Sequence, residues 1–331
     1  MSLRRTRVAL LVLALAAVLA ACGGQGEQSA QAPAGGAFPV TVAHKYGSTE
    51  IKAAPARVVT LGLSDQDAVL ALGVKPVGVV DWFKERPFGK WPWTQALWGG
   101  VQPEIVGERD EFNLEKIAAL RPDLIIAQYS GMTKEQYDKL SRIAPVVGQP
   151  AGPKDYGATW QEMTRAIAKS LGQQARGDQL VADMDQRYAK VRAEHPEFAG
   201  QTIAVADTFK PGEYGVFAPD DPKSLFVTAM GFKLSDEINA LVGDENVANI
   251  GVERTDLLEL DRLMWLTSDA EAEQRIRTDP LYQQLKVTQE KRDLFVSYEN
   301  PPIGAAISFN TVLSIPYAID QTVPLLAAKA K

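Results

Sequence analysis

The chain has 331 residues, 46% hydrophobic and 23% charged, with a formal net charge of −6. That length exceeds one small domain and that balance is globular, which excludes a fibrous or wholly disordered chain. The negative sign disfavours a nucleic-acid partner, whose phosphates call for lysine and arginine, and mildly favours a neutral or cationic ligand.

Arg4, Arg5 and Arg7 precede an apolar run from Val8 to Ala21, followed by Cys22. A basic start and a short apolar run predict a secretory signal peptide over 1–21; the run falls short of the ~20 residues a spanning helix needs. Leu19-Ala20-Ala21-Cys22 resembles the bacterial lipobox. That likeness implies cleavage before Cys22, acylation of Cys22, and a protein held outside the cell at the membrane by lipid. The alternative is an ordinary cysteine beside a plain signal peptide. Cys22 is the single cysteine of the sequence, so no disulfide can form within the chain. Gly23 to Ala37 is rich in Gly, Gln, Ala and Ser, and 22–37 reads as a flexible tether.

Ordered sequence is expected from Phe38. Val40 to Val42 and Ile51 suggest a hairpin turning at Gly47-Ser48. From Arg57 onward short apolar strands alternate with helices. Strands are predicted at Val58–Leu61, Val77–Val80, Leu124–Ala127 and Val146-Val147. Between them lie a helix through Ala68–Leu72 ended by Gly73, a helix at Leu114–Leu120 and one at Lys134–Ile143. This alternation argues for a parallel α/β lobe. A helix at Ala158–Leu171 is followed by the longest uninterrupted helical pattern, from about Gln174 to His195, stopped by Pro196. Leu180, Met184, Tyr188 and Val191 line one face of it. About 22 residues at ~1.5 Å each reach roughly 33 Å, close to the width of a lobe, so this helix reads as a rod between two halves. The second half repeats the theme with strands at Ile203–Ala206, Leu263–Leu266 and Leu294–Val296 and a helix at Ser224–Met230. The apolar tail from Thr311 to Lys331 is mostly helical, with Pro316 and Pro324 expected to interrupt or kink it. The fold class is therefore α/β: lobes at 38–172 and 197–331 with mainly parallel sheets, joined by the helix at 173–196.

Several segments resemble one family. Arg57-Val58-Val59-Thr60-Leu61, Asp67 and Leu72 to Val79 resemble the opening of iron-siderophore and cobalamin substrate-binding proteins of ABC importers. Leu114 to Ile126 is similar to that family's segment around Leu-x-Pro-Asp-Leu-Ile. Tyr137 to Pro145 and Gly304 to Ala318 fit as well. The run Asp81-Trp82-Phe83, Pro87-Phe88 and Trp91-Pro92-Trp93 resembles an actinobacterial branch linked to hydroxamate siderophores and, in some members, to haem. The resemblance implies two α/β lobes on one long helix (the class III periplasmic-binding-protein fold), a monomer, and partnership with an ABC permease and its ATPase. It also implies that one acid on each lobe meets the permease; Asp67 and Glu253 occupy those positions here. Either could instead be a solvated carboxylate at a helix start.

A ferric siderophore already fills the coordination sphere of its iron, so no direct metal ligand is expected from the protein. What it requires is a broad cleft with apolar walls and few polar contacts. Four of the six tryptophans lie between Trp82 and Trp98, in a segment broken by proline and glycine. Trp82, Phe83, Trp91 and Trp93 are therefore candidates for ligand contact; the alternative is that they fold into a small core of their own loop. Tyr129, Phe209, Tyr214 and Tyr298 follow predicted strands, where α/β proteins bind ligands. Arg109 could contact a ligand carbonyl or carboxylate. Trp265 lies inside a strand and is assigned to the core. An enzyme is disfavoured: His44 and His195 lie far apart, and the chain has no serine elbow, phosphate loop or Cys-His pair. Free zinc or manganese would need clustered histidines and carboxylates. Haem remains open, since Tyr129 or Tyr298 could ligate its iron. A scaffold without ligand is the third alternative.

Overall fold

A computed structural model describes residues 38–82, 91–210 and 212–328. Strands β1 (Val40–His44) and β2 (Gly47–Ile51) form an antiparallel hairpin whose register pairs His44 with Gly47, so the turn is Lys45-Tyr46 rather than Gly47-Ser48. The first large sheet contains β3 (Val58–Thr60), β4 (Gly78–Asp81), β5 (Glu104–Glu108), β6 (Glu111–Phe112), β7 (Leu124–Ile126) and β8 (Val146–Val147). Its order is β6-β5-β4-β3-β7-β8, and every pair is parallel except β5–β6. Around it lie helices α1 (Asp65–Ala71), α2 (Gln95–Trp98), α3 (Leu114–Ala119), α4 (Lys134–Leu140) and α5 (Trp160–Ser170). Every residue of β3, β4 and β7 is buried. Parallel strands covered on both faces need apolar residues on both, which is why these segments read as continuous runs.

Helix α6 (Gln174–Glu194) leads from this half to the next. It packs closely on α5 because Gly177 has no side chain; a Cβ there would stand 2.3 Å from the Cβ of Ala168. The second half runs β9 (Thr202–Lys210), β10 (Glu213–Phe217), α7 (Pro222–Ala229), β11 (Lys233–Leu234), α8 (Asp236–Val242), β12 (Val247–Gly251), β13 (Arg262–Thr267), α9 (Ala270–Thr278), α10 (Lys286–Gln289) and β14 (Asp293–Ser297). Its sheet has the order β12-β10-β9-β13-β14, with β11 paired to the start of β9. Helices α11 (Ile303–Phe309) and α12 (Ser314–Ala328) close the chain. Helix α12 runs past both prolines, so neither interrupts it. Pro316 sits in the first turn, where its missing N–H costs no helical bond.

The two halves share a core. One apolar cluster runs from Val59 and Ile125 through Val181, Tyr188 and Val191 of α6 to Ile315 and Leu326 of α12. At the join, the Asp67 carboxylate accepts hydrogen bonds from Trp93 Nε1 at 2.9 Å and from the Thr311 hydroxyl at 2.6 Å. The same Thr311 oxygen accepts from the Ser314 N–H at 3.1 Å, so the bond to Asp67 also fixes the start of α12. Asp67 is 0% exposed. The expectation that it lies on a permease-facing surface is therefore corrected: a docking acid must reach solvent, and this one is sealed beneath Trp93 and Thr311.

Burial pushes the Asp67 carboxyl up to about 7 and that of Asp65 up to about 6. The folded protein thus holds protons that the unfolded chain releases near pH 4. This contribution to stability is complete at low pH and is lost as pH rises through 6 to 7. The Tm of the Asp67→Asn variant should accordingly lie below that of the parent at pH 5, with the gap narrowing by pH 8. Thr311→Val removes a bond to a buried carboxylate and should cost about 1–3 kcal/mol in a urea titration.

Candidate functional site

Parallel strands of one sheet end on the same side, so the loops leaving them converge there. In the first half Leu63 follows β3, Trp82 follows β4, Arg109 follows β5 and Tyr129 follows β7. In the second half Asp207 lies on β9, Phe217 ends β10 and Tyr298 follows β14. These residues face one another across a cavity of about 460 Å³, to which Tyr156, Asn246, Ser308 and the start of α7 also contribute. That volume lies in the ordinary range for a small-molecule site, roughly 300–1,000 Å³.

The wall from the first half hangs on two carboxylates. Asp65 accepts from the backbone N–H of Gln128 at 2.7 Å and of Tyr129 at 3.1 Å, and the Leu63 N–H donates to the Tyr129 carbonyl at 2.8 Å. The turn after β3 and the loop after β7 are thereby tied together. Gly62 is required for this: a Cβ there would stand 2.2 Å from Asp65 Oδ2. Asp110 accepts from the Gly131 N–H at 2.9 Å and from the Tyr156 hydroxyl, which holds Tyr156 at the rim. Arg109 has φ 51°, in the left-handed region, and its N–H donates to the Asp81 carbonyl at 3.0 Å.

The opposite wall is built on a second pair of acids. Tyr298 donates to Asp207 Oδ2 at 2.6 Å, and the Thr208 N–H donates to Oδ1 at 2.6 Å. Asp221 caps α7 by accepting from the Lys223 N–H, and it pairs with the Lys223 ammonium at 2.9 Å. That ammonium also lies 4.1 Å from the centroid of the Phe217 ring. Burial pushes the Asp207 carboxyl up, with the Tyr298 bond opposing it. Burial, reinforced by nearby acids, drives the Tyr129 and Tyr298 hydroxyls well above the usual phenol range.

Of the residues predicted to touch ligand, Trp82, Arg109, Tyr129 and Tyr298 line the cavity. Trp91 and Trp93 do not. Trp91 is 2% exposed, stacks on Trp93 with centroids 5.2 Å apart, and meets Phe309 edge-on. Trp93 is half-buried against Phe309 and Tyr317. The loop finds its interior in helices α11 and α12, which the loop sequence does not contain. Tyr214 is also misplaced by the sequence reading. It shares a side of β10 with Val216, packs on Trp265 and donates to Asp279 at 3.0 Å; Phe217, of opposite parity, faces the cavity instead. Trp265 is fully buried. Glu253 is exposed, in the short 3-10 segment Val252–Leu258. Cys22, Phe83 and the side chain of Phe209 lie outside the described residues. Sequence reading passed over Tyr156, Asp207, Asp221 and Lys223. Only Asp207 carried a signal, standing one residue beyond the apolar run Ile203–Ala206. Among the described residues no group of three or more His, Cys, Asp and Glu could hold a metal ion. Gly62→Ala should dislodge Asp65 and lower stability by about 2 kcal/mol, read from the urea midpoint.

Comparison with known proteins agrees with this architecture. The sequence model of the periplasmic binding protein family matches residues 58–293. The probable siderophore-binding lipoprotein YfiY of Bacillus subtilis is 31% identical over 217 residues, covering 65% of this chain and 63% of YfiY. The chain thus spans less than two thirds of YfiY, and no more of two further curated relatives from that organism. A periplasmic solute-binding protein of Mycobacterium smegmatis superposes with a TM-score of 0.79 at 34% identity, covering 88% of this chain and 99% of that one. PiaA of Streptococcus pneumoniae, solved in complex with ferrichrome, gives a TM-score of 0.75 at 26% identity, covering 88% and 98%. With both sheets, the joining helix and most of the sequence accounted for, the chain belongs to the periplasmic binding protein family.

Proposed function

We propose that this protein is the extracytoplasmic binding component of an ABC importer, and that it carries a ferric siderophore of hydroxamate type in the cavity between its lobes. The observation that carries this reading is the composition of the cavity walls: aromatic rings from both halves, with cations and acids in balance. Trp82, Tyr129, Phe217 and Tyr298 supply ring surface, and the cations Arg109 and Lys223 are matched by the acids Asp207 and Asp221. A ferric tris-hydroxamate is neutral at its metal centre and suits such a balance. A ferric tris-catecholate is strongly anionic and would call for an excess of cations. Arg109, on the cavity wall, is the proposed partner of hydroxamate carbonyl oxygens. The naming of YfiY and the ferrichrome complex of PiaA support the same class of ligand.

Haem fits less well. Tyr298 already gives its hydroxyl proton to Asp207, and Tyr129 is 4% exposed, so neither stands open to an iron. In the proposed cycle Cys22 carries the lipid that holds the protein at the membrane. A permease with its ATPase takes the cargo, and Glu253 is a candidate contact with it. The chain acts as a monomer, without nucleic acid.

Titration followed by tryptophan fluorescence tests the ligand class. Ferrichrome should quench strongly; a ferric catecholate and cobalamin should quench weakly, and haemin should give no tyrosinate charge-transfer band. Haemin binding tightly with that band, and ferrichrome not at all, would sink the proposal. Trp82→Ala should weaken ferrichrome binding by about 1–3 kcal/mol, as expected for a ring anchored against a ligand. Trp91→Ala should instead lower Tm by several degrees, because it empties space between Trp93 and Phe309.

A further inference from the structure

The acids and cations of the cavity are not all paired with one another. On one wall the Lys223 ammonium is held by Asp221 and covered by Phe217. On the other wall Arg109 makes no ion pair among the described residues, because its neighbour Asp110 is turned toward the Gly131 N–H and the Tyr156 hydroxyl. This leaves Asp207 as the cavity acid with no cation in direct contact among the described residues. It is 6% exposed and accepts one hydrogen bond on each oxygen, from Tyr298 and from the Thr208 N–H. A carboxylate can accept about four hydrogen bonds, so acceptor capacity remains. The Tyr298 bond fixes its orientation; the Lys223 charge acts on Asp207 from a distance but is in contact with Asp221, so a ligand cation would be the first to touch this carboxylate directly.

We propose that Asp207 is a specificity-determining residue, whose carboxylate receives an ammonium group or strong N–H donor on the periphery of the ligand. The site then prefers ferric chelates with a cationic appendage and disfavours those with carboxylate appendages. Because Asp207 stands on the wall opposite Arg109, such a ligand is also oriented: its appendage points to the second lobe and its chelate carbonyls to the first. This inference rests on the siderophore reading of the same cavity.

The test uses ferrioxamine B and its N-acetyl derivative, which share the same ferric tris-hydroxamate and differ only in the terminal ammonium. Calorimetry on the parent protein should show ferrioxamine B binding about tenfold more tightly. Asp207→Asn keeps an acceptor for Tyr298 while removing the charge, and should bring the two ligands to equal affinity. Equal affinity of the two ligands for the parent overturns the inference, and this measurement needs no variant to fold. A uniform loss across all three ligands in Asp207→Asn also overturns it, since Asp207 would then only position Tyr298. Ferrichrome binding without either ferrioxamine overturns the inference but leaves the siderophore reading standing. Binding of none of the three by the parent protein overturns that reading itself.

Discussion

A buried carboxylate costs several kcal/mol unless hydrogen-bond donors surround it, and the loops of the first lobe are tied together by acids that collect such donors. Asp65 collects the backbone N–H groups of the loop that presents Tyr129, and Asp67 collects, on one oxygen, a nearby tryptophan and a threonine 244 positions away. Asp110 does the same, less deeply buried, for Tyr156. Each acid needs its donors in fixed places, so the backbone that carries those donors is fixed as well. Asp65 and Asp110 thereby hold the cavity wall, and Asp67 holds the join to α12.

That rigidity explains how a shallow set of contacts can select a ligand. Rings held in place lose little freedom when a chelate settles against them, and the small-molecule site needs only a few polar groups to choose orientation. The acid–base pairs of the cavity are arranged unevenly: one is closed on itself at the start of α7, whereas Arg109 and Asp207 stand on separate walls. A closed pair adds shape but little field. The separated charges give the cavity a direction.

The parts of the fold that were legible were those set by short-range pattern. Val58–Thr60, Leu124–Ile126 and Arg262–Thr267 are buried throughout, so their apolar runs announce central strands. Helix α6 was visible from the spacing of Leu180, Met184, Tyr188 and Val191. Strands with mixed polarity, such as Glu213–Phe217 and Val247–Gly251, were not. In the site, position after a predicted strand marked Trp82, Tyr129 and Tyr298, which line the cavity, whereas Arg109 stood after no predicted strand. It failed for Trp91 and Trp93 because Phe309 and Tyr317, which cover them, arrive more than two hundred residues later. Asp67 was misread for the same reason. Near a helix start a carboxylate is usually solvated, and nothing local reveals that Thr311 will close over it.

The bond between Asp67 and Thr311 joins residues 244 positions apart. The first lobe therefore cannot seal its interior when its own sequence is finished; it waits for the final two helices. A chain built this way does not mature lobe by lobe as it leaves the ribosome. It stays open until nearly all of it has been made, and contacts of such long range form slowly.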